Sequence, residues 1–315
     1  MMNEKSVAII IPAYNEELTI EKVIKDFHSI SPHAEIIIVD NCSSDRTQIL
    51  AKQQLAGLPH CKGRIIYEAR RGKAAAMRRA FKEVDADIYV MVDADCTYPA
   101  QDLPKLIEPV RQNEADIVIG NRHAQGRYNK ENKRPFHSVG NRLVLYLINL
   151  LFNGNLKDIL SGYRVMNRQF VKNYPILSKG FGIETEMSIH ALDKGYRVLE
   201  LPTEYKDRPE GSFSKLNTIK DGLMVLRLIF DIFIYFRPLT FFSILGTILF
   251  LLGSISGSVP IVEFYQTSKI THLPLAILAV GFILCSILSY FTGIILDGIS
   301  RAQRFNYELS LLKKS

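Results

Sequence analysis

Two carboxylates, Asp93 and Asp95, stand one residue apart in VDADCTYP, residues 92 to 99, directly after the apolar run IYVMV. A buried strand does not ordinarily finish on paired negative charges, so the pair calls for a positive partner. Where a strand ends and the chain turns, both side chains can reach one ion. Two carboxylates together with phosphate oxygens suit Mg²⁺ or Mn²⁺, hard cations that take one or two protein carboxylates and complete their shell on substrate phosphates. The chemistry this spacing points to is therefore metal-assisted handling of a diphosphate. A further carboxylate, Asp40, closes the apolar run AEIIIVD.

Other ways of holding phosphate fail on the residues. RRGKAAA contains Gly-Lys, but a Walker loop needs Gly where Tyr67 stands and Ser or Thr where Ala74 stands. No G-x-G-x-x-G follows the first strand, which argues against a dinucleotide fold. No H-E-x-x-H or G-x-S-x-G occurs, which removes the usual hydrolase arrangements. Cys42, Cys61, Cys96 and Cys285 show no C-x-x-C spacing. They read as thiols of a reducing compartment, not as a disulfide framework or a zinc site.

The elements that must position these carboxylates follow from hydrophobic periodicity. SVAIIIPA (6 to 13), AEIIIVD, GRIIYEA and DIYVMVD read as four short buried strands. Between them, EELTIEKVIKDFHSI, SSDRTQILAKQQL and GKAAAMRRAFKEV read as helices, the second capped at Ser43 or Ser44. Strands alternating with helices over short links imply a parallel sheet covered on both faces. Ligands of such sheets sit outside the carboxyl ends of the strands, where Asp40 and Asp93 fall. DLPKLIEPVRQN and ADIVIGNR continue as helix and strand. SVGNRLVLYLINLLFN reads as an apolar helix, belonging either to the core or to a membrane interface.

The end of the chain changes character. No charged residue occurs from Pro238 to Val262, nor from Ile270 to Leu296, and each run exceeds the roughly 20 residues that cross a hydrocarbon core. Arg227 and Arg237 precede the first run, and Arg301, Arg304, Lys313 and Lys314 follow the second, while Glu263 and Lys269 in the connector balance. The positive-inside rule then places both termini and the large N-terminal domain in the cytoplasm, as for a multi-pass protein of the inner membrane. VAIIIPAY is too short for a signal peptide. The expected organisation is a catalytic domain over 1–215, a juxtamembrane amphipathic helix over 216–237, and two membrane helices at about 238–260 and 273–296 followed by a basic tail. The formal net charge of +7 is partly local, concentrated in KENKRPFHSVGNR (130 to 142) and around Arg208, Lys215 and Lys220. Beside apolar helical stretches, such segments suit an anionic membrane surface or a phosphate ligand, and no nucleic-acid partner is expected.

Taken in order, IPAYNEE (11 to 17), VDNCSSDRT (39 to 47), RRGKAAAMRRA (70 to 80) and VDADCTYP resemble the inverting glycosyltransferases of family 2, which have the GT-A fold. GNR (120 to 122), SGYRVMNR (161 to 168), GFGIETE (180 to 186) and RPEGSFSKLNTIKDG (208 to 222) narrow the resemblance. They are similar to the polyprenyl-phosphate glycosyltransferases, the group with dolichol-phosphate mannose synthase and bacterial undecaprenyl-phosphate sugar transferases. The resemblance implies an α/β GT-A fold with a mostly parallel sheet, interfacial helices and a two-helix transmembrane hairpin. It implies transfer of a sugar from a nucleotide-diphosphate donor, a UDP-sugar by preference with GDP-mannose as the alternative, to a polyprenyl phosphate, with Mg²⁺ or Mn²⁺ as cofactor. A homo-oligomer through the membrane helices is compatible with it.

Roles at matching positions follow from the resemblance alone. Pro12, Ala13, Tyr14 and Glu16 line the nucleoside pocket, and Asp40 binds the base. Lys73, Asp93, Ala94 and Asp95 serve the donor's ribose, diphosphate and metal, with Asp93 and Asp95 as metal ligands. Arg122, Arg134 and Ser138 hold phosphate groups, and Arg208, Ser214 and Lys215 belong to a loop closing over donor and acceptor. Asp95, Arg122, Asp158, Arg208 and Lys215 form the catalytic set, and Glu184 contacts the sugar. Plain alternatives stand beside these roles: Tyr14 packing on the sheet, Arg134 as a solvated cation, Glu184 and Glu186 capping a helix, Asp158 capping a helix. Many relatives carry Gln where this chain has Thr97, so a third protein ligand to the metal is not implied. A processive polysaccharide synthase is disfavoured, because those enzymes stack a Trp on the acceptor and this chain has none. A membrane-bound family 2 transferase acting on a glycan or protein acceptor is the alternative reading.

Overall fold

The computed structural model describes residues 5–123, 135–176, 182–206, 230–231 and 234–312, with side chains described outside 135–141. The chain divides into two compact units, Met1–Thr218 and Ile219–Ser315.

The first unit is built on a seven-stranded sheet in the order β3-β2-β1-β4-β6-β5-β7. β1 (Val7–Ala13), β2 (Glu35–Asp40), β3 (Lys62–Tyr67) and β4 (Ile88–Met91) are mutually parallel. β5 (Ile117–Asn121) and β7 (Val198–Pro202) pair in parallel. β6 (Arg164–Asn167) lies between β4 and β5 and is antiparallel to both. The sheet is thus mostly parallel and mixed. Ile9, Ile10, Ile11, Ile36, Ile37 and Ile38 are fully buried. Strands covered on both faces carry continuous apolar runs of this kind.

Helices α1 (Ile20–Ile30), α2 (Thr47–Gly57), α3 (Lys73–Glu83) and α4 (Leu103–Arg111) alternate with the strands. α1 buries Ile20, Val23, Ile24 and Phe27, the i, i+3, i+4, i+7 stripe that drives a helix onto a sheet. Two expected helix starts shift. The first helix begins at Ile20 instead of near Glu16, because the amides of Asn15, Glu16 and Glu17 donate to Ser43 Oγ, Thr47 Oγ1 and Asp45 Oδ2. The second is not capped at Ser43 or Ser44 but begins at Thr47, with Arg46 at the cap position. Ser43 and Ser44 instead bond Asn15, and Asp45 Oδ1 accepts from Thr47 N at 3.0 Å. The loops after β1 and β2 are therefore bolted together at the carboxyl end of the sheet.

α5 (Pro135–Phe152), α6 (Arg168–Asn173) and α7 (Ile183–Asp193) complete the described helices of this unit. Val144 and Ile148 of α5 are buried, while Leu143, Tyr146 and Leu150 are exposed. This helix has both a core side and an uncovered apolar side.

The second unit contains α8 (Pro238–Thr267) and α9 (Leu273–Leu312), with mean hydropathies of 2.0 and 2.3 in their most apolar windows and long enough to cross a membrane. Small residues let them approach closely. A Cβ on Gly253 would lie 2.9 Å from Ile283 Cδ1, and one on Gly293 would lie 2.9 Å from Phe242 Cβ. Ser286 Oγ donates to Gly246 O at 2.7 Å and Ser289 Oγ to Phe242 O at 3.0 Å. Small side chains and interhelical hydrogen bonds hold helices together where no hydrophobic force distinguishes partner from lipid. α9 continues as helix well past Leu296, where the apolar run ends. The juxtamembrane helix expected over 216–237 lies largely outside the described residues.

Candidate functional site

The carboxyl ends of β1, β2 and β4 supply the floor. Register places Ala13 beside Asp40, and Asp40 beside Tyr67. Asp40 is 2% exposed, and its Oδ1 has no hydrogen-bond partner. A buried carboxylate oxygen in this state costs free energy until a donor reaches it. Next to it, Asn41 clamps the following loop: its Nδ2 donates to Arg70 O at 2.7 Å and its Oδ1 accepts from Gly72 N at 2.6 Å. Gly72 has φ +117°, a conformation that favours glycine, and it leads directly into α3. Arg71 lies 6.0 Å over the Tyr14 ring. Glu16 Oε2 accepts from Thr19 Oγ1.

The first residue of α3, Lys73, extends its ammonium between two carboxylates. It contacts Asp93 and reaches Glu184 Oε1 at 2.6 Å. Burial by itself pulls the Lys73 pKa down, but the two carboxylates outweigh it and hold the ammonium well above the usual lysine range. Glu184 comes from the first turn of α7, where helix geometry favours an acidic side chain. Lys73 is thus the positive partner of the first aspartate.

After β4 the chain turns through Cys96 at φ +60°. Asp95 is 4% exposed, and its Oδ1 accepts from Thr97 Oγ1 at 2.6 Å and Thr97 N at 3.2 Å. Thr97 thereby orients the second aspartate. Asp93 packs against Gly162 of the SGYR segment, so closely that a Cβ there would stand 2.9 Å from Asp93 Cγ. Tyr98 OH accepts the Gly162 amide at 2.9 Å.

The loop from Asp158 to Tyr163 is fixed from two sides. Arg122, following β5, donates to Asp158 through its backbone N at 3.1 Å, Nε at 2.8 Å and Nη2 at 2.8 Å. Burial alone would raise the Asp158 pKa, but the Arg122 hydrogen bonds and charge hold it below the ordinary value. The amides of Lys157 and Asp158 donate to Glu200, whose own pKa is pushed up by burial. On the other side Arg164, fully buried, donates to Ser161 O, Ile159 O and Ser188 Oγ at 2.9–3.0 Å.

The structure therefore gathers Asp93, Lys73 and Glu184 into one cluster, and sets Arg122 with Asp158 in another. Arg134, Ser138, Arg208, Ser214 and Lys215 lie outside the residues whose side chains are described. Sequence reasoning missed Asn41, Gly162 and Arg164. Their signal was present only as motif membership, because clamping a loop or clearing space for a carboxylate leaves no periodicity. Among the described residues no three His, Cys, Asp or Glu side chains form a metal cage. The donor set at the β4 turn is two hard carboxylates, which fits a cation that takes its remaining ligands from a substrate diphosphate.

Comparison with known proteins places this geometry. The sequence profile described as Glycosyl transferase family 2 matches residues 8–174. "Glycosyltransferase AglJ" of Haloferax volcanii is 32% identical over 247 residues, 78% of each chain. "Dolichol-phosphate mannosyltransferase" of Pyrococcus furiosus is 32% identical over 67% of this chain and 59% of its own. "Undecaprenyl-phosphate mannosyltransferase" of Micrococcus luteus is 30% identical over 65% of this chain and 85% of its own. Among solved structures, glucosyl-3-phosphoglycerate synthase of Mycobacterium tuberculosis superposes with a TM-score of 0.56 at 21% identity, covering 73% of this chain and 79% of its own. That likeness is one of fold.

Proposed function

The chain belongs to glycosyl transferase family 2, and from that premise we propose that it transfers a sugar, with inversion, from a nucleoside-diphosphate donor to a polyprenyl phosphate. The donor we propose is a UDP-sugar carrying a hexose or N-acetylhexosamine. Two relatives are named for transfer to dolichol phosphate and undecaprenyl phosphate. The observation that carries the reading is the buried, partnerless Asp40 oxygen at the end of β2, in the crevice where such sheets bind ligands. A pyrimidine base presents an N–H donor suited to that oxygen.

The acceptor phosphate sets the mechanism. A phosphate monoester has its second pKa near 6, so at neutral pH it is largely a dianion and already a nucleophile. The protein's task is to bring that dianion beside a diphosphate and to stabilise the charge that develops on departure. Arg122 is the described cation suited to that work, with Arg134, Arg208 and Lys215 proposed to join it. With its carboxylate engaged by Arg122, Asp158 orients that guanidinium instead of taking a proton. Asp93 and Asp95 would hold a divalent cation, and when bound it supplies Lewis-acid stabilisation of the leaving diphosphate. Lys73 keeps the Asp93 and Glu184 carboxylates in place, and Glu184 addresses the sugar hydroxyls. The two apolar helices of the second unit and the exposed Leu143, Tyr146 and Leu150 of α5 suit an acceptor delivered from a bilayer.

The test uses membranes carrying the full chain, undecaprenyl phosphate and a panel of radiolabelled nucleotide sugars. Label from one UDP-sugar should enter the organic-extractable lipid. Label confined to protein or water-soluble glycan would replace the lipid reading with transfer to those acceptors. Within the lipid reading, Arg134→Ala should lower transfer about 10- to 150-fold, as expected for one lost charge-assisted bond of roughly 1.5–3 kcal/mol. Donor affinity by calorimetry should change little. For sidedness, a cysteine at position 268 should label from outside intact cells and one at 315 only after permeabilisation.

A further inference from the structure

We propose that Lys73 gates the metal position: its ammonium and a divalent cation compete for one oxygen of Asp93, so that the cation enters only together with the donor diphosphate, which takes the ammonium over. The Lys73 ammonium contacts Asp93 Oδ1 and lies 2.6 Å from Glu184 Oε1. The other Asp93 oxygen, Oδ2, packs against Gly162, where an added Cβ would collide with it. That side leaves no room for a cation, so Oδ1 is the atom through which Asp93 can serve one. The Asp93 side chain is 29% exposed, against 12% for Lys73 and 8% for Glu184. Asp93 is therefore the member of the cluster that an incoming ligand meets first.

Two features let Lys73 yield Asp93 without stranding its charge. Glu184 is the more buried of its two carboxylates, so the ammonium keeps an ion partner when it leaves Asp93. Its backbone is held in place, because Lys73 begins α3 and the preceding Gly72 N donates to Asn41 Oδ1 at 2.6 Å. The move is thus confined to a flexible four-carbon stem carrying a compact charge. A dication sharing Oδ1 with the ammonium would set like charges side by side in a poorly screened site. A diphosphate removes that conflict, since its oxygens accept both the ammonium and the cation. Ligands of such sheets lie at the strand ends, where this cluster sits. The inference rests on the proposed transferase reading for one point, that Asp93 and Asp95 hold the metal.

The experiment reads Mn²⁺ binding instead of turnover. The full chain in detergent micelles is titrated with Mn²⁺ at neutral pH, with and without UDP, and free Mn²⁺ is followed by its electron paramagnetic resonance signal. Wild type should bind Mn²⁺ weakly alone and about 10- to 100-fold more tightly with UDP. Lys73→Met should bind Mn²⁺ without UDP about 10- to 100-fold more tightly than wild type, the range for one charge-assisted contact, and so lose most of the UDP effect. Glu184→Gln should act in the opposite direction. Lys73 then holds Asp93 harder, and Mn²⁺ binding with UDP should fall on the order of 10-fold. A purely structural lysine predicts weaker Mn²⁺ binding in Lys73→Met under both conditions. That result, an unchanged UDP effect in Lys73→Met, or no loss in Glu184→Gln overturns the proposal. If circular dichroism shows that Lys73→Met does not fold, Lys73→Gln, which can still donate to both carboxylates, takes its place with the same expectation. Mn²⁺ bound by no variant, with UDP or with GDP, overturns the metal reading and this inference together. Wild-type binding that needs UDP, with Lys73→Met unchanged, overturns the inference and leaves the metal reading standing.

Discussion

Arg122 and Arg70 grip their carboxylates in the same way. Each donates its backbone N, its Nε and its Nη2 to one acidic side chain, Asp158 in the first case and Glu68 in the second. What surrounds them differs. The Arg122 side chain is 9% exposed and that of Asp158 1%, whereas the Arg70 side chain is 63% exposed above a buried Glu68. Identical geometry therefore gives two devices. The Arg122 pair has lost its water, so neither partner can be removed without leaving a buried charge alone. The Arg70 pair keeps solvent on its cationic side, which screens the attraction and lowers the cost of breaking it. The first fixes the loop that carries Gly162 against Asp93. The second shapes a turn between β3 and α3 that can still yield.

The largest effect should come from breaking the buried clamp. Arg122→Ala is expected to destabilise the chain by about 3–5 kcal/mol, the usual cost of stripping one partner from a buried pair. Replacing both partners, Arg122→Met with Asp158→Leu, should recover much of that loss. Arg70→Ala should change stability little. Denaturant unfolding of the full chain, followed by circular dichroism, measures all three, and equal losses for Arg122→Ala and Arg70→Ala would show that exposure is not what separates the clamps.

Asp95 tests whether a buried acid at the turn after β4 serves the chemistry more than the fold. Its Oδ1 takes hydrogen bonds from Thr97, and Asn can accept the same pair. Asp95→Asn should keep the unfolding midpoint within a few degrees and lower transfer by about 100- to 1000-fold, the range for deleting a preorganised charge-stabilising group. Chelation with EDTA should do the same to wild type. Turnover near wild type in both cases would remove the metal from the mechanism.

Much of this arrangement was legible in the sequence, and the reasons are physical. Parallel strands buried on both faces are continuous apolar runs, so β1, β2 and β4 and the acids closing them could be read directly. The hairpin was legible for a related reason, since a bilayer demands long uncharged runs. β6 was not legible. It is only RVMN, flanked by polar residues, and it becomes a central strand only because β4 and β5 close on it from either side. The two clamps were equally hidden. Arg122 and Asp158 are far apart in the chain, and nothing in EARR announces that Arg70 turns back onto Glu68. Helix α5 was legible only as two alternatives, a core helix or one lying in a membrane interface; the structure turns Val144 and Ile148 into the core and leaves Leu143, Tyr146 and Leu150 exposed.

Gly162 links the buried clamp to the strand-end acids, because the loop that Asp158 anchors brings this glycine against Asp93. A methyl group there has no room beside the Asp93 carboxyl. Gly162→Ala should cost about 1–3 kcal/mol, as overpacking does, and should lower transfer by about 10-fold as Asp93 is displaced from Lys73. A drop in stability with unchanged transfer would mean that the Asp93 position is not critical.

The smallest effect belongs to the exposed clamp, and pH exposes it. The Arg70 hydrogen bonds lower the Glu68 pKa from 4.5 to about 2, against burial, which acts to raise it. A carboxylate whose folded pKa is depressed contributes stability above its unfolded value and loses it as pH falls through the folded one. The window is therefore about pH 4.5 down to 2. Wild type should exceed Glu68→Gln in unfolding free energy at pH 6 by a small margin, because water screens the guanidinium. That margin should close as pH falls across the window. Asp158 is also held below its ordinary value, so Asp158→Asn should show a gap with the same sign and a much greater size. A Glu68→Gln gap as wide as the Asp158→Asn gap at pH 6, or one that does not narrow toward pH 2, would show that the two clamps are alike in energy as well as in geometry.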